Sequence, residues 1–327
     1  MKPRSNDVVA FFLLCFLLLT ALRVQGDILY VSSVNNNKIY RVFPDGSTNS
    51  FANIYLLPEG LAFSPSGVLY VANDGANLIN RVNTLGGVGV FVTNVAQPYG
   101  LAFDSKTNLY AASNTSYRVK KITPQGVVTN FGPIIGAPYG MAIDAGDNVY
   151  VTSNYGQIYK ITPSGGSGVF GFVNGAVGLA FDQKGNLYVS ASTGTITKIT
   201  PAGAASTFMT GLSSSLVGLA FDNAGNLYAA EYISGAIYKI APDQTLTRFA
   251  TVPGNPSFIA VYPPPKFDPG PIGIAQIGDA VVVSWFGNFV LQSAPDMASQ
   301  FSDVVGATSP YTNVISDSEM AFFRLRN

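Results

Sequence analysis

Apolar and polar positions along this chain alternate in short bursts, not in helical stripes. Runs of four to six residues rich in Val, Ile, Leu, Tyr and Phe are separated by Gly, Asn, Asp, Ser and Pro, the pattern of β-strands joined by tight turns. One burst, Gly218-Leu219-Ala220-Phe221-Asp222-Asn223-Ala224-Gly225-Asn226-Leu227-Tyr228, recurs in close copies. Its opening glycine stands at Gly60, Gly100, Gly140, Gly178 and Gly218, and the worn copy Phe258-Ile259-Ala260-Val261 keeps the register, with steps of 40, 40, 38, 40 and 40 residues. A period of this length marks a repeat architecture.

Each repeat divides into four strands, here called a, b, c and d. In the copy that begins at Gly218 they are Gly218 to Phe221, Asn226 to Ala230, Ala236 to Ile240 and Leu246 to Ala250. The a-to-b link has the form Asp-x-x-Gly-Asn, as at Asp182 to Asn186, where Asp closes an Asx turn and Gly supplies positive φ. Strand c runs into Pro at Pro44, Pro124, Pro163 and Pro201, which stops the ladder before a second hairpin turn. The b-c-d sets begin near Ile28, Val68, Asn108, Asn148, Asn186 and Asn226, and the a strands at Gly60, Gly100, Gly140, Gly178, Gly218 and Phe258. The chain thus opens on b-c-d and closes on a lone a strand. Pairing Phe258 to Tyr262 beside Ile28 to Ser32 closes a ring and removes the open edge. The expectation is all-β: residues 27–262 form a six-bladed β-propeller. Tyr30, Tyr70, Tyr110, Tyr150, Tyr188 and Tyr228 recur in strand b, and are expected to fill the wedges between blades with their hydroxyls satisfied at the rim. The cations Arg41, Arg81, Lys121, Lys160, Lys198 and Lys239 recur in strand c, stems on the blade and heads in water.

The flanks differ. Residues 1–26 carry Lys2 and Arg4, an apolar run from Val8 to Leu22, and short residues before Asp27, the form of a secretory signal peptide too short to span a bilayer. The protein is expected to be secreted or held at the cell envelope, with no membrane span after cleavage. Residues 263–273, Pro- and Gly-rich, read as a linker. Residues 274–327 alternate in short segments that suggest a small all-β domain. Within it, Val283-Ser284-Trp285, Phe289 to Ser293, Ser309-Pro310-Tyr311 and Phe322 to Arg326 resemble a carboxy-terminal β-sandwich-like module of exported bacterial proteins, which implies attachment or sorting.

Composition narrows the chemistry. Charged residues are 11% of the chain, with 18 basic against 18 acidic, which argues against a nucleic-acid partner. The one cysteine, Cys15, lies in the leader and histidine is absent. Ser-His-Asp and Cys-His catalysis are therefore excluded, along with the commonest zinc ligand.

The repeat Gly-Leu-Ala-Phe-Asp-x-x-Gly-Asn-Leu-Tyr-Val-Ala, followed by Ile-Tyr-Lys-Ile-Thr-Pro, resembles the NHL repeat and the related repeat of the senescence marker protein and gluconolactonase family. The gluconolactonase resemblance implies one divalent cation, usually calcium, held at the central channel by Glu, Asn and Asp, several of them directly before the a-strand glycine. Here that row reads Glu59, Tyr99, Tyr139, Val177, Val217 and Ser257, and only Glu59 fits. The ends of strand b offer further oxygens from Asn73, Asp74, Asn114, Asn154 and Glu231. The streptogramin lyase family is similar in repeat pattern but uses a histidine, which this chain lacks. Two readings follow. In the first, the protein is a non-catalytic binding propeller without a cofactor, its partner a glycan, peptide or protein, and Tyr99 and Tyr139 either contact that ligand or plug the channel. In the second, it is a calcium-dependent, lactonase-like hydrolase acting through Glu59.

Overall fold

The computed structural model describes residues 26–262 and, beyond them, only the strands between 273 and 326. All of the expected leader but Gly26, and all of the 263–273 linker but Gly273, lie outside the described residues. The chain divides into two compact units at Pro264 and Pro265. The first unit is a ring of six four-stranded antiparallel sheets.

Each blade is one repeat. In the last, the strands are Leu216–Phe221, Leu227–Glu231, Ala236–Ile240 and Leu246–Thr251, paired in chain order. Blade 1 alone draws on both ends of the unit: strand Pro256–Tyr262 pairs antiparallel with Ile28–Ser33, Leu29 opposite Val261 and Val31 opposite Ile259. The ring therefore closes as the repeat count requires. The strands at the outer edge of each blade carry most of the exposed positions, while alternate positions of strands a, b and c form the cores between blades.

The repeated side chains have distinct jobs. Tyr30 meets Phe51 of its own blade and Phe63 of the next edge-on, with centroids 5.0 and 5.1 Å away. Tyr150 does the same with Phe170 and Phe181. Aromatic pairs in this geometry add to the area they bury, so the wedges at Tyr30, Tyr70, Tyr150 and Tyr188 are each locked by three rings, and those at Tyr110 and Tyr228 by two. The hydroxyls of Tyr110, Tyr150 and Tyr228 donate to Asp104, Asp144 and Asp222 at 3.2 Å. Those aspartates close the a-to-b turns: Asp104 Oδ1 accepts the backbone N–H groups of Lys106 and Asn108. The strand-c cations lie over rings as well as in water, Lys121 over Tyr110 and Lys239 over Tyr228, at 5.4 and 5.7 Å.

The recurring a-strand glycine has a steric cause. A Cβ at Gly60 would run into the carbonyl oxygen of Tyr99, and one at Gly140 into that of Val177. Innermost strands converge on the axis, and only glycine lets their backbones meet. The second unit contributes two small three-stranded antiparallel sheets, one of Gly273–Ile277, Ala280–Ser284 and Tyr311–Val314, the other of Val290–Ala294, Ser302–Asp303 and Phe322–Arg326. Among the described residues no helix is long and apolar enough to cross a membrane.

Candidate functional site

The register between strands a and b breaks at the same place in successive blades, between Pro58 and Leu61, Pro98 and Leu101, Pro138 and Met141, Ala176 and Leu179, and Leu216 and Leu219. A bulge frees two residues from the ladder and re-aims their side chains. One of the two is always the residue before the glycine, so the bulges present Glu59, Tyr99, Tyr139, Val177, Val217 and Ser257 as one ring at the end of the propeller that carries the d-to-a and b-to-c loops.

That ring is polar on one side and apolar on the other. Ser257 Oγ donates to Glu59 Oε2 at 2.5 Å, across the seam where the last strand meets blade 2. Tyr99 and Tyr139 stack with centroids 4.3 Å apart, and Tyr139 lies 6.1 Å from Phe258 in near-parallel planes. Phe258 replaces the usual a-strand glycine, and its ring packs with Tyr99, Tyr139, Val177, Val217 and Tyr232 in one cluster. The tyrosine pair is thus partly channel core.

Glu59 is 6% exposed and Asp74 8%. Burial pushes the Glu59 carboxyl up to about 8, the Ser257 bond opposes the rise, and the charge of Asp74 adds to it. Near neutrality it is a protonated acid. Asp74 is also raised, again by burial, and its Oδ1 is a buried atom with no hydrogen-bond partner. The tyrosine hydroxyls of Tyr99, Tyr139 and Tyr232 are all held above their ordinary range, first by burial and then by the negative charge of Glu59, together with Asp74 for Tyr99 and Tyr139. Five ionisable groups therefore feel one another at this mouth.

The other expected donors are engaged elsewhere. Asn73 caps the short 3-10 turn Asp74–Ala76 by accepting from Ala76 N, and its amide donates to Tyr55 O and Asn80 Oδ1. Asn114 donates to the Pro138 carbonyl, tying neighbouring blades, and Asn154 is exposed. Glu231 turns back into its own loop. Burial raises its carboxyl, but bonds from Ser215, Ser213 and the N–H groups of Ser234 and Ile233 outweigh that and hold it below the usual range. Sequence reasoning missed Tyr232, which directly follows Glu231 and gave no repeat pattern to find it by.

A calcium ion does not fit this donor set. Hard cations of this kind take six or more oxygens, whereas the ring supplies valines at two of six places, Glu59 already accepts from Ser257, and the Asn73 amide is consumed by its turn. Among the described residues no three acidic, histidine or cysteine side chains converge. A cleft of about 690 Å³ lies at the opposite end between blades 5 and 6, among Tyr188, Lys198, Phe208 and Phe221. It is an open wedge remote from the buried acid.

Comparison with known proteins gives the chain a family and its fold solved counterparts. The sequence model of the group described as the Virginiamycin B lyase family matches residues 21–257. Among solved structures, virginiamycin B lyase from Staphylococcus aureus is 18% identical with a TM-score of 0.52, over 79% of this chain and 95% of that one. A catalytically inactive histidine-to-alanine variant of that lyase with quinupristin is 19% identical, with the same score and coverage. A gluconolactonase from Xanthomonas campestris is 15% identical with a TM-score of 0.56, over 80% and 94%. At these identities the structures establish the shared propeller. No curated protein matches the chain.

Proposed function

The chain belongs to the virginiamycin B lyase family, and from that premise we propose that it is an enzyme that opens a cyclic ester, with Glu59 and Asp74 as its proton-transfer pair. Membership of a family named for an enzyme favours this over the non-catalytic binding expectation. The observation that carries the chemistry is Glu59 itself: a carboxyl at the channel mouth, buried and raised to about 8. The inactive variant of the Staphylococcus lyase lacks a histidine, and this chain has none anywhere. Proton transfer must fall to other groups. A raised carboxyl is suited to it because it is still protonated near pH 7 and yet gives its proton up readily.

The roles divide by environment. Asp74, whose Oδ1 has a free lone pair, takes a proton from water as the oxygen adds to the ester carbonyl. The ring C–O bond then breaks, and Glu59 gives its proton to the departing alkoxide. Proton exchange with solvent returns the pair to its starting state, so the net reaction is lactone plus water to hydroxy acid. Tyr99 and Tyr139, held neutral by burial, offer hydroxyl donors beside the acid. No step uses a metal, so chelator treatment is expected to leave turnover unchanged; loss of turnover with EDTA, restored by calcium, overturns that.

The test is ring opening of lactones by the wild-type chain, by Glu59→Gln and by Asp74→Asn, each checked for folding by its melting. Loss of about a hundredfold or more in kcat in both variants supports the reading, and full activity in Glu59→Gln overturns it. Product mass separates hydrolysis, which gains a water, from elimination, which does not. The stacked tyrosine pair favours a second reading, a binding platform for glycans or peptides. Ligand capture abolished by Tyr99→Ala and Tyr139→Ala, with no turnover of any lactone, would select it.

A further inference from the structure

The loop that leads into Glu59 is held in an unusual conformation. Leu56 and Leu57 both have positive φ, 68° and 51°, the left-handed region that branched hydrophobic residues rarely occupy. At the corresponding place before proline in two other blades stand Gln97 and Asn255, polar side chains of which Asn tolerates this region best. The surroundings enforce the shape: Leu57 N donates to Asn37 Oδ1, Tyr55 O accepts from Asn73, and Asp74 N donates to Leu57 O. A strained segment fixed this firmly beside a reactive group points to function.

What the strain accomplishes is display of apolar surface. Tyr55 is 81% exposed, and Leu56 and Leu57 are 39% and 37% exposed. The same end of the propeller carries Ile233 at 76%, next to Tyr232, and a crescent of Tyr117, Ile134 and Tyr155, each more than half exposed. The crescent is continuous: Ile135 N donates to Tyr117 O, and the Tyr155 ring lies against Gly136. Charge is scarce here. Apart from Glu59, Asp74 and Glu231, the loops at this end carry only Lys38 and Arg118, and Arg118 donates to the Gly132 carbonyl. Charged turns such as Asp45, Asp147, Lys184 and Asp243 cluster at the other end. Apolar side chains on three sides of the mouth, with little charge among them, suit a large uncharged molecule whose bulk lies across the face.

Resting on the cyclic-ester reading above, we infer that the substrate is an uncharged lactone bearing a long alkyl or aromatic substituent, and that Tyr55, Leu56, Ile134 and Tyr155 bind that substituent while its ring reaches Glu59. A small polyhydroxylated sugar lactone has nothing to place on this surface.

The experiment compares δ-dodecalactone with glucono-δ-lactone as substrates of the full chain. The selectivity ratio in kcat/KM is expected to favour δ-dodecalactone by about tenfold or more. In the pair Tyr55→Ser with Leu56→Asn, and separately in Ile134→Ser with Tyr155→Ser, that ratio is expected to fall by about tenfold, through KM. A ratio of one or below, or one unmoved by both pairs of changes, overturns the inference. If neither lactone is opened, the catalytic reading fails by itself, and calorimetry with δ-dodecalactone decides: binding weakened about tenfold in Ile134→Ser with Tyr155→Ser upholds the apolar platform, and no binding overturns it.

Discussion

Glu59 ties stability to pH as well as activity. Its carboxyl has an unfolded value near 4.5 and a folded value of about 8, so the folded state binds the proton more tightly. Its stabilising contribution is full below about pH 4.5 and is lost as pH rises through 8. Such a shift corresponds to a few kcal/mol, on the order of 3–5. Glu59→Gln removes the titration while keeping an acceptor for Ser257. Melting of the wild type is therefore expected to fall between pH 5 and 9 by roughly 10 °C, with a flatter profile in Glu59→Gln and the variant the more stable at pH 9. Parallel profiles would show that the carboxyl is not buried as described. As the proton donor, Glu59 must be protonated, so kcat is expected to decline above about pH 8. Residue identity at 59 could be read from the repeat, because the position before each a-strand glycine was visible; its protonation state could not, since burial depends on Ser257, 198 positions away.

Strand a and the loop before it set the mouth at the level of elements. A methyl at Gly140 meets the backbone of the next blade, and the backbone has nowhere to go. Gly140→Ala is expected to cost about 1–3 kcal/mol, read as a drop in melting temperature, whereas Ala at the exposed strand position Gly89, where an added Cβ meets nothing within 4 Å, should not. The Leu56–Leu57 loop predicts the opposite sign. Left-handed conformations cost roughly 1–2 kcal/mol for an ordinary side chain, and Asn lowers that cost. Leu57→Asn is expected to raise stability by about 0.5–1 kcal/mol while weakening the apolar lactone, and a melting temperature that falls would remove the argument from strain. Turn chemistry at Asp104 and Asp222 was legible from Asp-x-x-Gly-Asn and its relatives, since those bonds are local. The leucine pair gave no comparable sign: its conformation is imposed by Asn37, Asn73 and Asp74 from neighbouring turns.

Closure governs the whole molecule. Strand Pro256–Tyr262 completes blade 1 and also delivers Ser257 and Phe258 to the centre. A chain ended before Pro256 loses both the last ladder and the partner of Glu59. It is expected to melt far lower, without a cooperative transition, whereas a chain ended at Pro264 keeps the melting of the propeller. Equal stability of the two truncations would mean that the ring does not depend on its seam. The sequence by itself determined what is periodic: six repeats, four strands in each, the wedge tyrosines, the turn aspartates, and a lone closing strand that must meet the three-strand set at the start. These are local or nearest-neighbour features, and repetition states them six times over. Only the tertiary structure decided what happens where all blades converge. There, side chains far apart in the chain share one small, dry volume, so the acid is raised, the tyrosines stack on Phe258, and Asn73 and Glu231 turn back into their own loops. Desolvation and close approach are properties of that shared space, and a sequence does not carry them.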